Sequence, residues 1–361
     1  MFFRDRDKTG RERSVHHLIF KLLTNQILLR FYISLEALTR GFLLSFLPTI
    51  VIGCSSNVFP SVKSSVTKNG VLSKTVKAST SLSAYGSTLD ILVFDDDPLM
   101  RLDSFQRVEK FSGTTVHPTS TGGGKIFFLY YGSRCDRYAW AATGSYGDLR
   151  KMSMNLEDET RSSPVMTGQC RCEAGETHAF ADLVPLACRI KIISLKRDFS
   201  DTPYAESKIS DIMVYLTDVN ACCSIAGNDR HDNIRLINAG MLNPHDMQRF
   251  EDRSLVCQSI EGKLADKAIK PDICLWCYPA GTHTGRPTRL VIEGKIDGRT
   301  YYWPFTIGTD GEIICNRTYS YNITLKRKGV SSPDIEIEPQ CMNIDLSIKP
   351  WIEKEDYPVR F

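Results

Sequence analysis

The stretch Tyr319-Ser-Tyr-Asn-Ile-Thr-Leu-Lys326 alternates without a break. Tyr319, Tyr321, Ile323 and Leu325 are apolar or aromatic, while Ser320, Asn322, Thr324 and Lys326 are polar. A period of two belongs to a β-strand with one face in a core and the other toward water. Asn343 to Pro350 does the same, with Ile344, Leu346 and Ile348 on one face. Working back, Thr288–Glu293 and Thr300–Ile307 flank Asp297-Gly298, a hairpin signal because both central positions need φ > 0. Ile209 to Val219 puts Ile212, Val214 and Leu216 on one face, and Cys188–Leu195 sets Ile190 and Ile192 against Arg189 and Lys191. Leu89–Phe94 and Lys125–Tyr131 are short apolar runs, the first ending in the turn cluster Asp95-Asp96-Asp97-Pro98. Helical periodicity is confined to Gly147–Leu156 and Gly240–Phe250 outside the leader. Many short antiparallel strands separated by turns indicate an all-β chain of two tandem β-sandwiches with few short helices.

Composition sets the bounds. The chain has 361 residues, enough for two ordinary domains once a leader is removed. The reading divides it into a leader at 1–53, a tether with a weak strand (Val71 to Ala78) at 54–88, an N-terminal sandwich at 89–200 and a C-terminal sandwich at 201–361. Ser200-Asp-Thr-Pro203 serves as the linker. The net charge of +3 includes the basic leader and gives no case for nucleic acid. Residues 55–88 carry no Asp or Glu, and Lys63, Lys68, Lys74 and Lys77 make the tether basic.

Arg40, the apolar run Gly41–Gly53 and then Cys54 follow the order of a bacterial lipoprotein signal. Small Gly53 admits a signal peptidase to the Gly53–Cys54 bond, and the new N-terminal Cys54 thiol carries the lipid. A membrane-spanning helix needs about 20 apolar residues; this run is shorter and broken by Pro48. The chain is then expected to leave the cytoplasm and end up tethered to a membrane surface by its lipid. About 40 residues precede the run, more than a charged n-region needs, and no methionine lies between Met1 and Cys54. Translation from a non-Met codon near Leu35 or Leu38 is a hypothesis that N-terminal sequencing tests. Twelve cysteines show no tight disulfide spacing. Lipidation of Cys54 leaves an odd number, so at least one thiol is free or paired with another chain.

No motif carries catalysis. Gly122-Gly-Gly-Lys125 lacks the Ser or Thr and the helix of a phosphate loop; Ile126 and a strand follow instead. Cys274-Leu-Trp-Cys277 has metal spacing but sits in a strand, where positions three apart point to opposite faces. Cys170-Arg-Cys172 and Cys222-Cys223 are no stronger, and Asp95–Asp97 lacks the rest of a calcium loop. Asn316-Arg-Thr318 and Asn322-Ile-Thr324 match the glycosylation pattern but read as strand residues. No metal, cofactor or enzyme activity is implied.

Several segments, in order, resemble the fimbrillin family of Bacteroidales, the subunits and anchors of type V pili. They are Leu89–Asp95, Pro164–Gly168, Ala187–Ile192, Arg286–Gly294, Gly298–Pro304, Asn316–Gly329 and the last strand ending at Pro350-Trp351. The resemblance runs from Cys54 to about Trp351; the first 40 residues have no counterpart. It implies two transthyretin-like β-sandwiches and assembly by donor-strand exchange. In that mode a lipidated precursor reaches the outer membrane, a protease removes the N-terminal strand, and a strand from the next subunit fills the groove. Residues 55–88 would hold the removed strand, and Met342–Phe361 is where the donor region falls. Two departures stand out. Family cleavage often follows arginine, yet none lies between Cys54 and Arg101, so Lys74 or Lys77 would have to serve; uncut, the chain would be an anchor. The residues after Cys54 also lack the acidic run that often accompanies surface export.

The resulting expectation is a structural subunit or membrane anchor of a fimbrium, active in cell adhesion, with other fimbrial subunits, the outer membrane and a host or bacterial surface ligand as partners. The rival is a non-polymerising surface lipoprotein that binds a glycan or host protein.

Overall fold

The computed structural model describes residues 75–79, 88–109, 115–116, 124–132, 138–173, 178–226, 234–280 and 286–351. The described strands in chain order are Thr75–Ser79 (β1), Thr88–Asp95 (β2), Leu102–Val108 (β3), Thr115–Val116 (β4), Gly124–Tyr131 (β5), Ser153–Asn155 (β6), Met166–Cys172 (β7), His178–Asp182 (β8), Val184–Pro185 (β9) and Cys188–Arg197 (β10). Then come Ser210–Thr217 (β11), Val219–Asn220 (β12), Cys222–Ser224 (β13), Leu236–Ile237 (β14), Cys257–Ile260 (β15), Ile273–Cys277 (β16), Arg289–Ile296 (β17), Arg299–Thr306 (β18), Arg317–Leu325 (β19) and Met342–Pro350 (β20). The α-helices are Tyr146–Lys151 (α1) and Pro244–Met247 (α2). The chain is thus all-β.

The first sandwich pairs a five-stranded sheet, β3-β2-β5-β7-β9, with a three-stranded one, β4-β1-β8. Strands β2 and β5 read as unbroken apolar runs because their sheet is buried on both faces. Leu89, Ile91, Val93, Ile126, Phe128 and Tyr130 form one core with Ala181 and Leu183. Leu92, Phe94, Phe127, Leu129 and Tyr131 face the other way, onto Trp140, Tyr146 and Leu149. Asp90 lies within this packing, fully buried, and accepts two bonds from Arg107 (2.8 Å each) and one from Tyr131 Oη (2.7 Å). Gly124 opens β5 where a Cβ would stand 2.1 Å from the Phe94 carbonyl oxygen, so the glycine there serves close strand approach. Asp95–Asp97 form the solvated β2–β3 turn, with Arg101 beside Asp97 at 3.8 Å and Arg171 on Asp96 at 2.5 Å.

The second sandwich packs sheet β16-β10-β19-β20 against sheet β15-β11-β17-β18. Tyr319, Tyr321, Ile323 and Leu325 fill its core as the alternation predicts. Asp297 (φ 50°) and Gly298 (φ 79°) make the β17–β18 turn, both in the left-handed region. Strand β10 keeps Ile190 and Ile192 inside. Its register against β19 then shifts between Ile192 and Ser194, which leaves Ile193 44% exposed and returns Leu195 to the core.

Two expectations about organisation change. A boundary at 200 assigns β10 to the first sandwich, yet β10 pairs with β16 and β19 and is a central strand of the second. The strand pairs where its long-range partners Ile273–Cys277 and Arg317–Leu325 lie, and the boundary falls before Cys188. Ser200–Pro203 therefore crosses between the two sheets of one sandwich, pinned by buried Phe199. The helix expected at Gly147–Leu156 ends at Lys151, where Met152 turns extended (ψ 139°) to enter β6. That of Gly240–Phe250 shortens to Pro244–Met247, with Pro244 in its first turn and the Asn243 side chain capping.

The sandwiches share one continuous core and pack as a single compact unit. Strand β6 pairs with β13 across the junction. Arg161 donates to Ser254 Oγ (3.1 Å), Ser254 O (2.6 Å) and Cys274 O (2.7 Å).

Candidate functional site

The last strand, β20, is the feature that the core absorbs only at its start. β20 is an edge strand, paired with β19 alone over nine residues from Arg317↔Pro350 to Leu325↔Met342. Ile348, Leu346 and Ile344 stand directly opposite Tyr319, Tyr321 and Ile323. Opposite residues in a ladder share a face, so this apolar stripe extends the core-facing side of the sheet past its rim. Alternation predicts burial for such a stripe. Instead Leu346 and Ile348 are each 40% exposed, and only Met342 at the start of the strand is buried. The strand is formed and registered, but the facing sheet does not cover it.

A clamp holds the far end. Trp351 donates its backbone N–H to Asn316 O at 2.8 Å. Its ring meets Trp276 edge-on (4.8 Å between centroids), and the Arg189 guanidinium lies 4.4 Å from its centre. Arg189 is itself held by Thr318 Oγ1 at 3.0–3.1 Å. Trp351 packs against the cores of both sandwiches, so the end of β20 is tied to the junction. The sequence ended its last strand at this tryptophan but carried no signal for the clamp, which assembles from residues far apart in the chain.

At the other terminus, β1 is the middle strand of its sheet. It runs parallel to β8 from Thr75↔His178 to Ser79↔Asp182 and antiparallel to β4. The strand expected at Val71–Ala78 thus lies at Thr75–Ser79. Lys77 falls inside β1 and Lys74 immediately before it in the sequence. Gly53, Cys54 and Lys74 lie outside the described residues, as do the leader and most of the tether.

The remaining sequence candidates separate. Cys274 and Cys277 sit on β16 opposite Lys191 and Cys188, three positions apart and on opposite faces. Among the described residues no group of three or more His, Cys, Asp or Glu is placed to hold a metal ion. Trp303 is buried, with Tyr301 and Tyr302 partly covered on β18. Asn316 and Asn322 belong to the β19 region, Asn316 with φ 54° just before the strand. One site was not legible: a cavity of about 750 Å³ lined by Asp218, Arg286, Arg289, Phe305, Asp334 and Glu336. Arg286 and Arg289 reach the buried Asp218 carboxylate at 3.6 and 3.3 Å. Asp334 is held below its ordinary carboxyl range by the Ser332 hydroxyl first and, more weakly, by these two arginines.

No protein-family model matches the chain, and no curated protein matches its sequence. Solved structures match its fold. A fimbrilin from Porphyromonas gingivalis superposes with a TM-score of 0.57 at 14% identity, covering 78% of this chain and 98% of that one. A protein from Bacteroides eggerthii, provisionally classed as a cell adhesion protein, gives 0.60 at 14% identity over 78% and 96%. A similarly classed protein from Parabacteroides distasonis gives 0.58 at 15% over 78% and 97%. The chain therefore has the double-sandwich fold of a fimbrilin, in agreement with the resemblance read from its segments.

Proposed function

We propose that this chain is a structural subunit or membrane anchor of a fimbrium, that it joins other fimbrial subunits by donor-strand exchange, and that it acts in cell adhesion at the outer membrane. The observation that carries the proposal is β20: a formed nine-residue edge strand on which Leu346 and Ile348, on the core-facing side, are each 40% exposed. An unpaired edge is a template for another strand, and a strand with alternate apolar side chains is what a vacated sandwich groove accepts. The fold shared with a fimbrilin supports the same reading. The reading is non-catalytic.

The position of β1 favours the anchor over the shaft. Cleavage after Lys74 leaves the whole of Thr75–Ser79 on the body. Cleavage after Lys77 has to enter a strand paired on both sides. The next basic residue is Arg101, beyond β2. A trypsin-like protease thus has no site that removes β1 intact without also removing β2, and a chain that keeps β1 and a lipidated Cys54 donates β20 without accepting a donor. The test is N-terminal analysis of the mature cell-associated protein, together with SDS-resistant oligomers after limited proteolysis. A lipidated Cys54 with β20-dependent complexes supports the anchor; a start near Ala78 supports a polymerising subunit. A strictly monomeric product at every protease dose overturns both.

A second reading has its own observation. The cavity beside Arg286 and Arg289 has an apolar wall at Phe305 and polar groups of both charges, a mixture that suits a polyhydroxylated ligand. In that case the chain is a non-polymerising surface lipoprotein that binds a glycan or host protein. Glycan binding lost on Arg286→Ala, with no oligomer under any condition, would select it.

A further inference from the structure

We propose that Cys188 and Cys277 form a disulfide site that staples β10 to β16 when the chain folds under oxidising conditions. The two residues are direct partners in the antiparallel β10–β16 ladder. Direct partners have Cα atoms about 4.5–5.5 Å apart with side chains on one face, inside the roughly 4.4–6.8 Å window that a disulfide spans. The Cys188 thiol lies within hydrogen-bonding reach of Cys277 and also donates to Ile314 O at 2.9 Å. Both residues are fully buried. Cys315 and Cys223 are the other thiols close enough to act on Cys188 electrostatically. Cys274, three positions along β16, points to the other face and does not compete.

The chemistry balances with an oxidising disulfide, either a small-molecule disulfide or that of an oxidase. Two thiols lose two protons and two electrons as the S–S bond forms, and the reagent's own disulfide takes both and leaves as two thiols. Burial, and then the neighbouring Cys277 thiol, hold Cys188 well above the ordinary thiol range. Thiolate is the species that exchanges, so the bond forms while β10 and β16 are still loosely paired. The closed core then shields it from reductants.

The staple acts on one edge only. β16 and β20 are the two outer strands of the same sheet. With β16 fixed covalently, β20 is the edge that can separate. That consequence rests on the donor-strand reading; the disulfide itself does not.

The test is peptide mapping of the full chain, unfolded in urea and refolded either in a glutathione redox buffer or in dithiothreitol, then alkylated under denaturing conditions. The oxidised sample should contain the Cys188 and Cys277 peptides linked and unalkylated, about 2 Da lighter than the two separate thiol peptides. Full alkylation of both, or linkage of Cys188 to Cys315 or Cys223, overturns the proposal. A second arm compares equilibrium unfolding midpoints in urea. Oxidised wild type should unfold at a higher urea concentration than reduced, and Cys277→Val should show no dependence on the redox buffer. Equal redox dependence in both proteins overturns the proposal as well. Neither arm reads polymerisation, so a linked pair in a chain that never oligomerises would count against the fimbrial reading and leave the staple standing.

Discussion

Glu159 offers a direct test of how the two sandwiches are joined. It is fully buried between them. Its Oε2 accepts from the Val165 N–H at 2.8 Å, on the approach to β7, and its Oε1 meets Tyr278 Oη at 3.0 Å, just past β16. Burial pushes its carboxyl from 4.5 up to about 8, against the partial relief of those two bonds. The folded protein therefore holds this proton more tightly than the unfolded chain does. The stabilisation is complete below pH 4.5 and is lost as pH rises toward 8. At about 1.4 kcal/mol per pK unit, the loss across the window is roughly 4–5 kcal/mol, and about 3 kcal/mol of it falls between pH 5.5 and 8.5. Glu159→Gln keeps an acceptor for Val165 and gives Tyr278 a donor, without a charge to bury. Urea unfolding of both proteins from pH 5.5 to 8.5 should show the wild type losing about 3 kcal/mol relative to the variant. Curves that stay parallel within about 0.5 kcal/mol would refute the reasoning, because the carboxyl would then titrate alike in both states.

Other substitutions probe separate parts of the argument. Asp90→Ala removes the acceptor that Arg107 and Tyr131 share inside the first sandwich, and should cost about 3–5 kcal/mol in urea unfolding. Leu346→Asp changes a half-exposed edge residue, so stability should move by less than about 1 kcal/mol. The same change should abolish SDS-resistant oligomers, because a charge cannot enter a partner's apolar groove. Trp351→Ala removes the clamp with Trp276 and Arg189, and hydrogen exchange across Met342–Pro350 should rise while Arg317–Leu325 stays protected by β10.

The strands were legible because most obey a simple period. Tyr319–Leu325 and the Asp297-Gly298 hairpin declare themselves, since one face is wet and the turn needs two residues with positive φ. The domain boundary was not legible. β10 is followed closely in sequence by β11, but its neighbours in space are Ile273–Cys277 and Arg317–Leu325, and no local signal encodes those pairings. Alternation also could not tell whether the stripe on β20 is covered. Ile344, Leu346 and Ile348 look identical in sequence to a core stripe, and only the extent of the facing sheet decides their exposure. The cavity beside Arg286 and the clamp at Trp351 escaped for the same reason, because their residues come from distant segments.

The edges of the second sandwich show why β20 bears on function. Proteins blunt their free edges, and those at β16 and β18 are blunted here. On β16, the outward N–H of Cys274 is taken by Gln258 Oε1 at 3.0 Å and its carbonyl by Arg161 at 2.7 Å. On β18, Tyr302 exchanges both backbone bonds with Val330 at 2.8–2.9 Å, and Pro304 lies within the strand. Both edges have been closed by side chains or by a loop. β20 is longer than β16, carries Leu346 and Ile348 each 40% exposed, and has its proline only at the last position. Among the described residues no strand pairs with its outer side. This contrast between two closed edges and one open, partly apolar edge is what the donor-strand proposal rests on. If β20 is donated, the Trp351 clamp at its far end is the contact that a partner's groove has to outcompete.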